Sequence, residues 1–158
     1  MVEFDIKITG KDLYNYMLAH TYATPSGILG SCFGALMLVM GALNGGTVYM
    51  IAGAALLLYL PWTLYIKSYK QAQNNPIYKE SIHYVLDDKG ITVSQGKQTQ
   101  TLEWDKLYKA TSTTRSIILY TSKNTATILP RKQVGEQLAG LIEIIATHVP
   151  ASKMKIRM

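Results

Sequence analysis

The sequence predicts an α-helical membrane hairpin joined to an α+β domain, a small antiparallel β-roll or barrel closed by a C-terminal amphipathic helix. Three observations carry this. Between His20 and Lys67 there is no Asp, Glu, Lys or Arg. Beyond residue 80, short segments of alternating polarity are separated by turn residues. From Gln133 the apolar period changes from that of a strand to that of a helix. The chain then divides into an N-terminal strand and short helix (1–22), a two-span hairpin (23–67), a polar linker (68–79), the β-rich domain (80–150) and a basic tail (151–158).

The N-terminal arm opens with VEFDIKIT, where Phe4, Ile6 and Ile8 alternate with Glu3, Asp5 and Lys7, the period of a half-buried strand. So short a strand needs a sheet elsewhere in the chain, and it is expected to join the downstream one. Thr9 and Asp12 have capping-box spacing, with Asp in place of Glu, and Leu13, Tyr16, Met17 and His20 share the face of the helix that follows.

The charge-free run covers residues 21–66. One spanning helix needs about 20 apolar residues, so the run suits two. Asn44-Gly45-Gly46 divides it, because these residues tolerate the left-handed backbone of a tight turn. The spans are expected at about residues 24–43 and 47–66. Pro25 suits a first helical turn, whereas Pro61 is expected to kink the second span or end its regular part early. A buried hairpin of a soluble protein is the alternative, and two adjacent spans without a charge argue against it. A cleaved signal peptide is not expected, since residues 1–20 are polar.

Lysines set the orientation. The turn has none, while Lys7 and Lys11 precede the spans and Lys67, Lys70 and Lys79 follow them, which places both termini in the cytoplasm. Tyr22, Tyr59, Trp62, Tyr65 and Tyr69 suit the inner interface and Tyr49 the outer one. Gly27, Gly30, Gly34, Gly41 and Gly53 are candidate helix-packing positions, since small residues let backbones approach closely in lipid. They seal the hairpin on itself or form a contact between copies. Cys32, without a second cysteine, reads as a small packing residue.

In the β-rich part, SIHYVLDDKGITVSQ reads as strand, turn, strand, with Ile82, Tyr84 and Leu86 on one face continued by Ile91 and Val93. GKQT is a turn and TQTLEW, LYKATST, SIILYTS and TATILP are further strands, the last two joined by SKNT. Val134, Leu138, Leu141, Ile142, Ile145 and Val149 form the stripe of one helix from Gln133 to Val149. The tail, with Lys153, Lys155 and Arg157, is expected to be disordered.

A family resemblance rests on these residues. The strand pair with Tyr84, Leu86, Gly90 and Ile91, the step Trp104, Leu107 and Lys109, the strand with Ile117, Leu119 and Tyr120, and ILPRKQV over residues 128–134 resemble the YcxB-like family of bacterial membrane proteins. The resemblance implies a cytoplasmic pleckstrin-homology-like domain on a two-helix hairpin, located in the bacterial cytoplasmic membrane. It implies no reaction.

Catalytic chemistry is not expected. His20, His83 and His148 are widely separated without metal-ligand spacing; Asp87 and Asp88 precede Lys89-Gly90 as a turn would have them; no serine sits in a nucleophile motif. No catalytic residue, cofactor or metal is assigned. The functional signal is charge: after Ile66 there are 14 Lys and Arg against 7 Asp and Glu. Basic residues near an anionic leaflet each contribute about 1 kcal/mol, so Lys67, Lys70, Lys79, Lys123, Arg131 and Lys132 are candidate lipid- or partner-binding residues. The same lysines also serve as a topology signal. Nucleic acid is not an expected partner, because no strand or helix interleaves aromatic and basic residues.

The expectation is a non-enzymatic, membrane-tethered interaction module that binds membrane lipid, a protein partner or another copy of itself. By fold-level analogy its role lies in envelope stress or self-protection. The alternative is a regulatory subunit of a transporter or envelope enzyme, docking through the glycine-rich hairpin.

Overall fold

A computed structural model describes residues 1–123 and 125–156. In chain order its elements are β1 (Val2–Ile6), α1 (Gly10–Tyr22), α2 (Pro25–Asn44), α3 (Thr47–Asn74), β2 (Ile82–Leu86), β3 (Gly90–Gln95), β4 (Gln98–Glu103), β5 (Lys109–Ser112), β6 (Ser116–Tyr120), β7 (Ala126–Pro130), α4 (Arg131–Val134), α5 (Leu138–His148) and β8 (Met154–Lys155).

The alternation in the N-terminal arm produces β1, which pairs antiparallel with β2, Phe4 opposite Tyr84 and Ile6 opposite Ile82. Phe4, Ile6 and Ile8 are all buried. The first sheet has the order β1-β2-β3-β4 and the second the order β7-β6-β5-β8. The expected α+β domain thus takes the form of two four-stranded sheets, with no closed barrel among the described residues. Strands β4 and β7 are terminal in their sheets, and a cleft of about 380 Å³ lies between them, floored by Ile82, Tyr84 and Ile128.

One core joins the sheets to α5. Ile6, Leu86, Leu107, Ile117, Leu119, Leu129, Leu141 and Ile145 are essentially inaccessible to solvent, each such side chain contributing about 1.5–3 kcal/mol on burial. Trp104 is buried with its indole N–H donating to the Asp87 carbonyl at 2.9 Å, and His148 stacks on it at 5.2 Å. Asp87 is fixed as a turn residue, its carboxylate accepting from the Lys89 and Gly90 backbone.

Free strand edges invite unwanted pairing, and that of β1 is covered by glutamines. The Gln133 side chain accepts from the Lys7 N–H at 2.8 Å and donates to the Lys7 carbonyl at 3.0 Å, and Gln137 accepts from the Glu3 N–H at 3.0 Å. Both come from a segment that corrects the expected single helix. Gly135 has φ of 60°, a left-handed backbone that stops α4; a single 3₁₀ turn follows before α5 starts at Leu138.

Helices α2 and α3 form an antiparallel hairpin, both long and apolar enough to cross a membrane. Gly45, at φ 68°, ends α2 and makes the expected turn. Pro61 does not end the second helix, which runs through it to Asn74. The expected linker from residue 68 is therefore largely helical. A proline ring removes one backbone donor, and the polar Lys67–Asn74 stretch has the straight-chain residues that sustain a helix. Hydroxyls return to the backbone, Thr63 to the Tyr59 carbonyl at 2.8 Å and the buried Ser68 to that of Tyr65 at 2.8 Å.

The tail also departs from expectation. Through β8 it pairs parallel with β5, Met154 opposite Ala110, and Lys153 donates to the Leu107 carbonyl at 3.1 Å. Arg157 lies outside the described residues.

Candidate functional site

Helix α1 links the domain to the hairpin and builds one wall of the site. Its start is set by the anticipated capping box: Thr9 N–H donates to the Asp12 carboxylate at 3.0 Å, and Asp12 N–H to the Thr9 hydroxyl at 3.3 Å. One face carries Leu13 into the core. Gly10 lies against the Tyr69 ring, and Tyr14 meets Tyr65 edge-on at 5.7 Å, so the helix rests on the lower part of α3. The opposite face presents Lys11 and Asn15.

The turn between β5 and β6 builds the second wall. Thr113 N–H donates to the Ser116 carbonyl at 2.8 Å, and the Thr113 hydroxyl accepts from the Ser116 N–H at 3.0 Å, which leaves Arg115 projecting at the tip. The third wall is the β7–α4 junction, joined to that turn by Arg131 N–H donating to the Arg115 carbonyl at 2.9 Å. Between the three lies a cavity of about 530 Å³ holding the cations Lys11, Arg115, Arg131 and Lys132 against one carboxylate, Asp12. Asp12 is already engaged by Thr9. Lys11, Arg115 and Lys132 are exposed, and Arg131 is half-buried.

Of the six cations singled out from sequence, only Arg131 and Lys132 line this cavity. Lys123 lies in the β6–β7 loop, at the other end of β7 from Arg131. Lys67 and Lys70 are exposed on α3, and Lys79 follows the 3₁₀ turn at Pro76–Tyr78. Lys11, read from sequence as a topology signal, and Arg115 are the additions, and nothing in their sequence spacing links them to residue 131.

Gly30, Gly34, Gly41 and Gly53 lie between the two helices of the hairpin, and Gly27 lies against α1. A Cβ on Gly34 would stand 2.9 Å from Leu57, one on Gly41 2.6 Å from Met50, and one on Gly53 2.7 Å from the Gly34 carbonyl. Gly30 sits at ordinary contact from Leu60, and Gly27 is pressed against the Thr21 carbonyl. Cys32 is exposed on α2, which corrects its reading as a packing residue. Tyr59, Trp62, Tyr65 and Tyr69 all project outward, as an interfacial belt does.

The histidines stay apart. His83 lies 2.9 Å from Asp5 and 3.3 Å from Glu3 on the outer face of the first sheet. His20 approaches the Tyr120 hydroxyl at 3.3 Å, and His148 stands 3.6 Å from Asp88. Among the described residues no three His, Cys, Asp or Glu side chains are grouped to hold a metal ion. Burial pushes the Tyr84 and Tyr120 phenols up to about 12.

Fold and cavity together define a class: an α+β domain carried on an apolar helical hairpin. Residues 86–145, from the end of β2 into α5, match the family model described as YcxB-like protein. No curated protein and no solved structure matches the chain. The residues that carried the resemblance are mainly core: Leu86, Ile91, Trp104, Leu107, Ile117, Leu119 and Ile128 are all buried, which is why it conveys a fold without a reaction.

Proposed function

We propose that the protein is a non-enzymatic interaction module tethered at the inner face of the bacterial cytoplasmic membrane, its domain serving as the binding surface for membrane lipid or a protein partner. The observation that carries this reading is the β1–β2 pairing. It brings the segments before and after the hairpin into one fold at one end of two exposed apolar helices. Lysines at that end and none in the turn favour the cytoplasmic side. A four-stranded antiparallel sheet, a second sheet and a C-terminal helix across one core also suit a pleckstrin-homology-like domain. A regulatory subunit docking through the hairpin glycines has less support, because Gly34, Gly41 and Gly53 are already closed against the facing helix.

The test is topology by thiol labelling. In a Cys32→Ser background, Asn44→Cys should react with a membrane-impermeant maleimide from outside intact cells, and Lys97→Cys only after the inner membrane is opened. The opposite pattern overturns the orientation. Recovery of the protein in the soluble fraction overturns the tether.

A further inference from the structure

We propose that the cavity formed by α1, the β5–β6 turn and the β7–α4 junction is a phosphate-binding site that takes the headgroup of an anionic phospholipid. The inference rests on the membrane-tethered reading above and deepens it. Four cations converge there on a concavity of about 530 Å³, within the range of small-ligand sites. Among the described lining residues the one carboxylate is Asp12, which is turned to its own capping bond with Thr9, while Lys11, Arg115 and Lys132 are exposed. Arg115 offers a planar fork that matches two phosphate oxygens at once, and Lys11 and Lys132 add point charges from opposite walls. Arg115 donates to the Asn15 carbonyl oxygen at 3.5 Å across the cavity lining. The N-terminal amides of α1 are capped by Thr9 and contribute little; side-chain charge carries the site.

Position favours a lipid over a soluble phosphate ester. Asn15 directly follows Tyr14, whose ring meets Tyr65 of the aromatic belt. One helical turn back, Gly10 touches Tyr69. The cavity therefore opens within a turn of the level at which the aromatic rings suit the headgroup region. A headgroup phosphate reaches it without the lipid leaving the leaflet.

The full-length protein, purified in a non-ionic detergent, should be titrated with dioctanoyl phosphatidic acid, dioctanoyl phosphatidylglycerol, dioctanoyl phosphatidylcholine, glycerol phosphate and inorganic phosphate. The expected result is binding of the two anionic lipids, weakening as salt rises, and about tenfold or greater loss in the Lys11→Gln/Arg115→Gln double variant. Lys97→Gln, outside the cavity, should bind as wild type. All three affected side chains are exposed, and an unchanged melting temperature would show that the fold is retained. Equal affinity in the double variant overturns the site. Phosphatidylcholine binding as tightly as the anionic lipids overturns the charge-based recognition. Glycerol phosphate or inorganic phosphate binding as tightly as the lipids, with the same loss in the double variant, overturns the headgroup assignment and leaves a site for soluble phosphate. None of these outcomes bears on the thiol-labelling result, which decides the tethered reading separately.

Discussion

Tyr84 is 4 % exposed and stacks on Phe4 at 5.8 Å, and its phenol is held at about 12 against an ordinary 10 mainly by desolvation. Burial favours the neutral form, so folding raises this pKa. The associated stability is fully present below pH 10 and is lost as pH climbs through about 12. Two pKa units correspond to about 2.7 kcal/mol. Denaturation midpoints should fall steeply between pH 10 and 12, and Tyr84→Phe should flatten that fall; an unchanged slope would show that Tyr84 does not cause it. Gln133 allows a second prediction. Gln133→Ala removes both bonds to the exposed Lys7 backbone, which water can then reach, and should cost about 0.5–1.5 kcal/mol in chemical denaturation. At this scale the sequence was partly legible. Thr9 and Asp12 announced their bond because capping is local. Lys11, Arg115 and Arg131 gave no sign of meeting, because a cavity built from three distant segments leaves no spacing to read.

Among the elements, β1 shows how alternation carries both an element and its destination. A strand with Phe4, Ile6 and Ile8 on one side must bury that side, and the sheet beginning at β2 is where it does. Ile6→Ala should cost about 2–5 kcal/mol, as large-to-small substitutions in packed cores do, read from the denaturation midpoint; a loss well under 1 kcal/mol would mean that β1 is dispensable. The α4–α5 segment was read less well. Its apolar stripe from Val134 to Val149 is continuous in sequence, yet Gly135 at φ 60° interrupts the helix. Periodicity registers which face is buried and is blind to one residue of backbone conformation. Gly135→Ala should accordingly destabilise by about 1–2 kcal/mol, since a Cβ is disfavoured in the left-handed region; a neutral result would show that the break is set by Val134 and Gln137 packing instead. β8 escaped notice because two residues have no period. Helix α3 outran its expected end because the loss of hydrophobicity at Lys67 marks where a membrane would stop and not where a helix must.

For the whole molecule, the domain and the hairpin were both visible in the division of charge along the chain. Their mutual arrangement was visible only through β1. The absence of a closed barrel was not visible, because strand count and alternation are the same for an open pair of sheets and a closed roll. A deletion of residues 1–8 removes a strand and four buried side chains, Val2, Phe4, Ile6 and Ile8, from a shared core. It should abolish the cooperative unfolding transition of the domain while the hairpin still partitions into membranes, seen by thermal melting and alkaline extraction in parallel. A cooperative melt in the deletion would mean that residues 80–150 fold alone.

The β1–β2 pairing also sets a timetable. Ile6 and its partner Ile82 are 76 positions apart (82 − 6), with both apolar helices between them. At about 5–20 residues per second of synthesis, β1 waits on the order of 4–15 s before β2 leaves the ribosome. On the membrane-tethered reading proposed above, the hairpin is made and delivered to the bilayer during that interval. Membrane insertion then comes before folding of the domain, and Phe4, Ile6 and Ile8 must be kept from other surfaces until it is finished. A hairpin that fails to insert leaves its domain a strand held on the wrong side of a delay, and the quality of insertion is reported by whether the domain folds.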